Sequence, residues 1–150
     1  MALRASNWVH GIAAVVQTAS WNVTRSGIWT IVRPNFDLKD PEIHLAIPTP
    51  TVPTTKIQAA MVRLGTGPKT SLLGIDVCNG EHRIGYFPNT KSFPIIRGQF
   101  GDWARFEFKP PVDVQWGVGI SMRFKVDAPD HPDSEIRVIG AGAEFVTEPK

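Results

Sequence analysis

The chain has a single cysteine, Cys78, so no disulfide can form within it, and 150 residues must be held together by their core. A domain of that length buries roughly 70% of its unfolded surface, which is enough without a covalent staple. A lone cysteine also points to a reducing compartment. No apolar stretch approaches the ~18 residues of a membrane-spanning helix. Basic runs are missing too: sixteen Lys and Arg are interspersed with fourteen Asp and Glu, leaving a net charge of +2. Phosphate-backbone binding therefore has little electrostatic footing. The opening stretch carries Arg4, but His10 and Gly11 interrupt its apolar residues, so it reads as mature structure and not as a signal peptide. Asn22-Val23-Thr24 matches a glycosylation sequon and, without a leader, reads as chance. The expectation is one soluble domain, residues 1–150, cytoplasmic as synthesised, with neither nucleic acid nor membrane among its partners.

Long helical runs are also scarce, because thirteen prolines and thirteen glycines punctuate short apolar segments. What the chain has instead is alternation. In residues 115–126, QWGVGISMRFKV, Trp116, Val118, Ile120, Met122, Phe124 and Val126 share one parity. Gln115, Gly117, Gly119, Ser121, Arg123 and Lys125 share the other. Side chains of a strand point alternately to opposite faces, so this run has one core face; wound as a helix it would bury nothing coherently. The parity places Trp116 in the core, and Trp8 is assigned there as well.

Other strands follow from the same reasoning. Residues 8–17 are apolar on both parities, as expected of a strand buried on both faces or lying at a subunit contact. Residues 25–32 and 43–47 form two more. Residues 56–64, KIQAAMVRL, contain good helix formers, yet Ile57, Ala59 and Met61 alternate and the β context favours a strand. Residues 72–78 lead into Asn79-Gly80, read as the central pair of a tight hairpin turn, with residues 81–87 returning. Residues 93–101 read as an irregular edge, and 103–109 as a strand halted by Pro110-Pro111. Residues 135–146 close the chain, with Ile136 and Val138 inward and the small residues Gly140 to Ala143 permitting close packing or a bulge. The sum is an all-β, antiparallel β-sandwich of Greek-key or jelly-roll type with about nine strands.

Four segments, taken in order, carry a resemblance. They are Trp8-Val9-His10-Gly11, the run from His44 to Pro50 (HLAIPTP), the run from Trp116 to Ser121 (WGVGIS), and that from Gly140 to Phe145 (GAGAEF). On these motifs the chain resembles a small bacterial family of uncharacterised single-domain β proteins. The resemblance implies a β architecture and no activity, so it carries over no catalytic residue.

Chemistry is hard to find in the residues. His10, His44, His82 and His131 show no metal-ligand spacing; His10 reads as a hydrogen-bonded core histidine and His82 as solvated. Asp127, Asp130, Asp133 and Glu135 share a loop with His131, but the calcium-loop spacing is missing and a solvated acidic turn is the favoured reading over Ca²⁺. Ser121 and Cys78 have no activating partner nearby in sequence, although a triad can assemble through space. No cofactor is expected.

The five tryptophans are the better lead. Trp29 and Trp103 lie on mixed parities and Trp21 in a polar turn. An exposed tryptophan beside polar side chains can stack on a sugar ring or anchor a protein interface. Asp102, Trp103 and Arg105 form the preferred ligand-binding candidate, weighed against the plainer role of sealing the sandwich ends. Function is thus read first as a non-catalytic, self-associating assembly or protein-interaction module, with a homo-oligomer or protein partner. A lectin-like glycan-binding module comes second, and a metal-assisted hydrolase on a jelly-roll scaffold third.

Overall fold

A computed structural model describes residues 2–16, 22–27, 29–33, 41–89, 103–128 and 131–149. Among them the chain forms β1 (Leu3–His10), β2 (Val15–Val16), β3 (Asn22–Ser26), β4 (Trp29–Arg33), β5 (Glu42–Ile47) and β6 (Thr55–Thr66). It continues with β7 (Thr70–Asn79), β8 (His82–Pro88), β9 (Ala104–Asp113), β10 (Val118–Val126) and β11 (Ile136–Thr147). The strands make two antiparallel sheets, one ordered β3-β4-β11-β6-β9 with β1 also on β11, the other β2-β5-β10-β7-β8. From β5 onward the chain changes sheet at nearly every connection, the habit of a jelly roll. The fold is the expected all-β sandwich, with eleven strands among the described residues where about nine were read.

β10 behaves as its alternation requires. Val118, Ile120, Met122 and Phe124 are buried, while the intervening Gly119, Ser121 and Arg123 are half-exposed on the outer face. Both edges of the strand are paired, one to β5 and one to β7. Its inward row joins Phe106, Phe145, Ile57 and Leu64 of the other sheet in one hydrophobic cluster. Residues 56–64 are indeed strand, within β6.

Trp116 is a correction: it is 69% exposed. Gly117 adopts φ +119, which breaks the parity between Trp116 and Val118, so the strand starts at Val118. The side chain of Asn79 holds that turn, its Oδ1 accepting from the backbone N–H of Gln115 at 3.1 Å and of Trp116 at 3.0 Å. Asn79 itself pairs with His82, so the hairpin turn is Gly80-Glu81, one residue beyond the expected pair. A register shift between Val77 and Cys78 accounts for the offset, and Gly80 supplies the left-handed φ of +57.

The first strand differs as well. Residues 8–17 are not one strand buried on both faces; β1 ends at His10, residues 11–13 make a 3-10 turn, and β2 joins the other sheet. The doubly apolar pattern arises because the segment serves two sheets in turn. Val9 packs against the core, whereas Trp8 and His10 face outward and are exposed, so neither is a core residue. Residues 25–32 likewise divide into a β3–β4 hairpin around Gly27 at φ +60. Pro110-Pro111 does not stop β9, which runs on to Asp113. It is the last strand of its sheet, so missing N–H groups cost no ladder bond, and residues 108–111 bulge between the Ile57–Val112 and Ala59–Glu107 pairs. Residues 93–101 lie outside the described residues.

β11 carries the irregularity that matters most for the site. Ile136 and Val138 point inward, then the register against β6 shifts between Val138 and Gly140. After the shift Ala141, Ala143 and Phe145 face the core. Gly140 and Gly142 are thereby turned to the outer face.

Candidate functional site

The outer face of the first sheet is laid out by register. His10, Gly140 and Arg63 form one row across β1, β11 and β6. Trp8, Gly142, Met61 and Arg105 form the next, and Ser6, Glu144, Ala59 and Glu107 the third. Trp103 lies just before β9, beside the Val62–Ala104 pair. Rows are two residues apart, about 7 Å along the strands.

Two indole rings meet on this face. Trp8 and Trp103 come within 4.2 Å centroid to centroid, with their planes inclined by 56°. The glycines of β11 make room for them. A Cβ on Gly142 would strike Cε3 of Trp8 and lie 2.6 Å from its Cδ2; one on Gly140 would lie 3.1 Å from Cη2 of Trp103. Each ring still exposes about two-fifths of its surface, 43% for Trp8 and 40% for Trp103. With Val9, His10, Arg63, Ile139 and Gly140 they line a depression of about 480 Å³. Aromatic walls that stay wet in the free protein suit a ligand with flat apolar faces and polar edges.

One row away, a polar depression of about 350 Å³ is lined by Arg4, Ser6, Gln58, Arg105 and Glu144, among others. Arg105 holds Glu144 in a two-pronged pair, Nη2 at 2.6 Å and Nε at 3.2 Å from Oε2. The hydrogen bond to Glu144 raises the guanidinium pKa further above its ordinary value, so Arg105 is a fixed cation. Of the three residues singled out from sequence, Trp103 and Arg105 do share this face, and Asp102 lies outside the described residues. Trp8, Arg63 and the two glycine seats were missed. The signal for them was the GAGA run itself, whose small residues mark where bulky groups from another strand lie down on the sheet.

The remaining tryptophans are differently placed. Trp29 is half-buried beneath the Arg137 guanidinium, 4.6 Å from its ring centroid. Trp116 stands at one end of the sandwich, its ring 6.0 Å from His82. Trp21 lies outside the described residues.

Two solved structures and a third near them give the fold a context. A xylan-binding module of family CBM86 from the gut symbiont Roseburia intestinalis matches at TM-score 0.53 and 10% identity, over 94% of this chain and 96% of that one. The two share a fold. The C-terminal CBM6 of a marine laminarinase from Zobellia galactanivorans matches at 0.49 and 10% identity, over 96% and 100% of the two chains. A family 29 carbohydrate-binding module from Piromyces equi matches at 0.47 and 12% identity, over 95% and 90%. No family model matches the chain, and no curated protein does.

The opposite face offers a different chemistry. Ser121 and His44 are register partners, and Ser121 Oγ lies 2.6 Å from His44 Nδ1, so the serine has a histidine that sequence spacing did not reveal. Glu42 stands 3.8 Å from His44 Nε2 and is also held by Arg123 at 3.2 Å. β10 is central, however, and its backbone N–H groups are spent on the β5 and β7 ladders. The Ser121–His44–Glu42–Arg123 row is thus a hydrogen-bonded part of the sheet surface.

Cys78 on the same sheet has its pKa raised, first by burial and then by the Asp76 carboxylate, with Arg83 opposing. A raised thiol pKa leaves less thiolate at neutral pH. Alkylation of Cys78 by iodoacetamide is expected to rise with pH along a curve displaced upward from that of free cysteine; a midpoint at or below the free value would contradict this assignment.

Among the described residues no group of three or more His, Cys, Asp or Glu is placed to hold a metal. In the acidic loop Glu135 is committed to Arg137 at 2.9 Å and Arg33 at 3.1 Å. Asp130 lies outside the described residues. None of the helices described is long and apolar enough to cross a membrane.

Proposed function

We propose that this protein is a carbohydrate-binding module whose ligand lies across the outer face of the β1-β11-β6-β9 sheet. The observation that carries the reading is the pair of exposed, mutually packed indoles, Trp8 and Trp103, seated on Gly142 and Gly140. A pyranose presents C–H groups on its faces and hydroxyls on its rim. The indole walls suit the faces, and Gln58, Ser6 and the Arg105–Glu144 pair one row away suit the hydroxyls of a neighbouring residue in the chain. The shared fold with a xylan-binding module supports the same direction and makes xylan a first ligand to test.

Affinity electrophoresis against soluble β-glycans, followed by calorimetry on the best ligand, tests it. Trp8→Ala and Trp103→Ala are each expected to weaken binding by roughly tenfold or more, the loss typical of an aromatic anchor. Retention of full affinity by both variants would remove the platform from the reading.

A second reading, self-association, is favoured by β1. This eight-residue strand pairs with β11, and among the described residues no strand pairs with its other edge. Leu3 at its start is 72% exposed. Open edges of this kind recruit a second strand. Light scattering at high micromolar concentration is expected to show a dimer that Ala5→Pro, within the β1 edge, dissociates; a strict monomer would end this reading.

A further inference from the structure

We infer that the tryptophan depression selects glycans bearing an oxyanion, a carboxylate or a sulfate ester, with Arg63 as its ligand. This deepens the carbohydrate reading and rests on it. Arg33, Arg83, Arg105, Arg123 and Arg137 each hold a carboxylate within 3.2 Å. Arg63 stands apart. It is half-buried, its Nε is shut off from solvent without a hydrogen-bond partner, and among the described residues no acid pairs with it.

Its surroundings sharpen the contrast. The depression is lined by Trp8, Val9, His10, Trp103, Ile139 and Gly140 beside Arg63, with no acid among the described residues that line it. The neighbouring polar depression instead sets Glu144 against Arg105, and the one beside Trp116 is lined by no charged side chain. A guanidinium kept half out of water in a depression walled by apolar rings costs free energy unless an anion meets it. An oxyanion on a sugar stacked against Trp103 would meet that need, because the planar guanidinium fork donates to two oxygens at once. Register places the residue beside the platform: Arg63 lies opposite Gly140, the glycine over which Trp103 lies.

The test compares the full chain on four polymers: xylan, glucuronoxylan, polygalacturonate and a sulfated galactan. Glucuronoxylan or polygalacturonate binding more tightly than xylan marks a carboxylate as the partner; the sulfated polymer binding more tightly marks a sulfate. The expected preference over xylan is roughly tenfold to a hundredfold, the range a charged hydrogen bond contributes. Arg63→Gln is expected to abolish the preference, bringing the acidic polymers down to the affinity the same variant has for xylan, and Arg63→Lys to restore part of it. Urea midpoints of the variants confirm that each is folded. Equal affinity for xylan and the acidic polymers, unchanged in Arg63→Gln, would overturn the inference and leave the carbohydrate reading standing. A preference that survives Arg63→Gln would overturn it too, as general attraction to a basic protein. Silence on all four polymers would sink the carbohydrate reading itself, and this inference with it.

Discussion

Replacing Gly142 by alanine is expected to lower stability by about 1–3 kcal/mol and to dismantle the ligand platform in one step. Gly142 does not sit at a left-handed φ, so alanine's backbone preferences are not at issue. The obstacle is steric. The new methyl would strike Trp8 Cε3 and lie 2.7 Å from the carbonyl oxygen of Asn7. The indole can swing away, but the Asn7 carbonyl belongs to β1, and giving way there shifts the Trp8–Gly142 rung itself. A control separates this from glycine's general effect. A Cβ on Gly119, in the middle of β10, meets nothing within 4 Å. Gly119→Ala is therefore expected to be neutral or to stabilise by roughly 0.4–1 kcal/mol, through loss of freedom in the unfolded chain. Urea denaturation measures both. The exciton couplet of the Trp8–Trp103 pair in circular dichroism reports the platform, and should vanish in Gly142→Ala and persist in Gly119→Ala. A Gly142→Ala protein as stable as the parent, with its couplet intact, would refute the seating of Trp8 on β11.

Phe106→Ala is expected to cost about 3–5 kcal/mol, a large share of the ~5–15 kcal/mol available to a domain. Phe106 is 1% exposed and projects from β9 into the core. Its ring lies 5.5 Å from that of Phe87, which also meets Phe108 edge-on at 5.1 Å. Phe87 belongs to β8 of one sheet, Phe106 and Phe108 to β9 of the other, so these rings join the two sheets along one margin of the sandwich. Among the described residues no ladder bond links β8 to β9, and side-chain packing joins the sheets along that margin. Removing the Phe106 ring leaves a cavity bounded by both sheets, which neither can collapse into without breaking its own ladder. The urea midpoint should fall with the slope unchanged. A loss below about 1 kcal/mol would mean that the margin is held by something other than these rings.

How much of this was legible beforehand follows from what each signal encodes. Alternation in residues 118–126 reports a strand buried on one face, and the structure places Val118, Ile120, Met122 and Phe124 of that row in the core, with Val126 half-exposed at its end. Parity fails wherever the backbone departs from the pleat: at Gly117, which frees Trp116, and at the shift after Val138, which turns Gly140 and Gly142 outward. It fails again in residues 8–17, where two sheets share one apolar stretch. Trp103 and Arg105 were legible as site candidates because their strand mixes polar and aromatic groups on one parity. Trp8 was misread as core for the same reason that Trp103 was not: its neighbours are apolar.

Composition and periodicity by themselves determined the class of this protein, a β-built body stabilised without disulfides, and the inner row of its best strand. Those are properties of neighbouring residues, which the pleat converts directly into inside and outside. Tertiary structure alone decided the platform. Trp8 and Trp103 are 95 positions apart, Arg63 lies between them in the chain, and the glycines that seat the rings come last. Only the order of strands in the sheet, with a shift of register in β11, brings two indoles, an unpaired guanidinium and bare backbone to one spot.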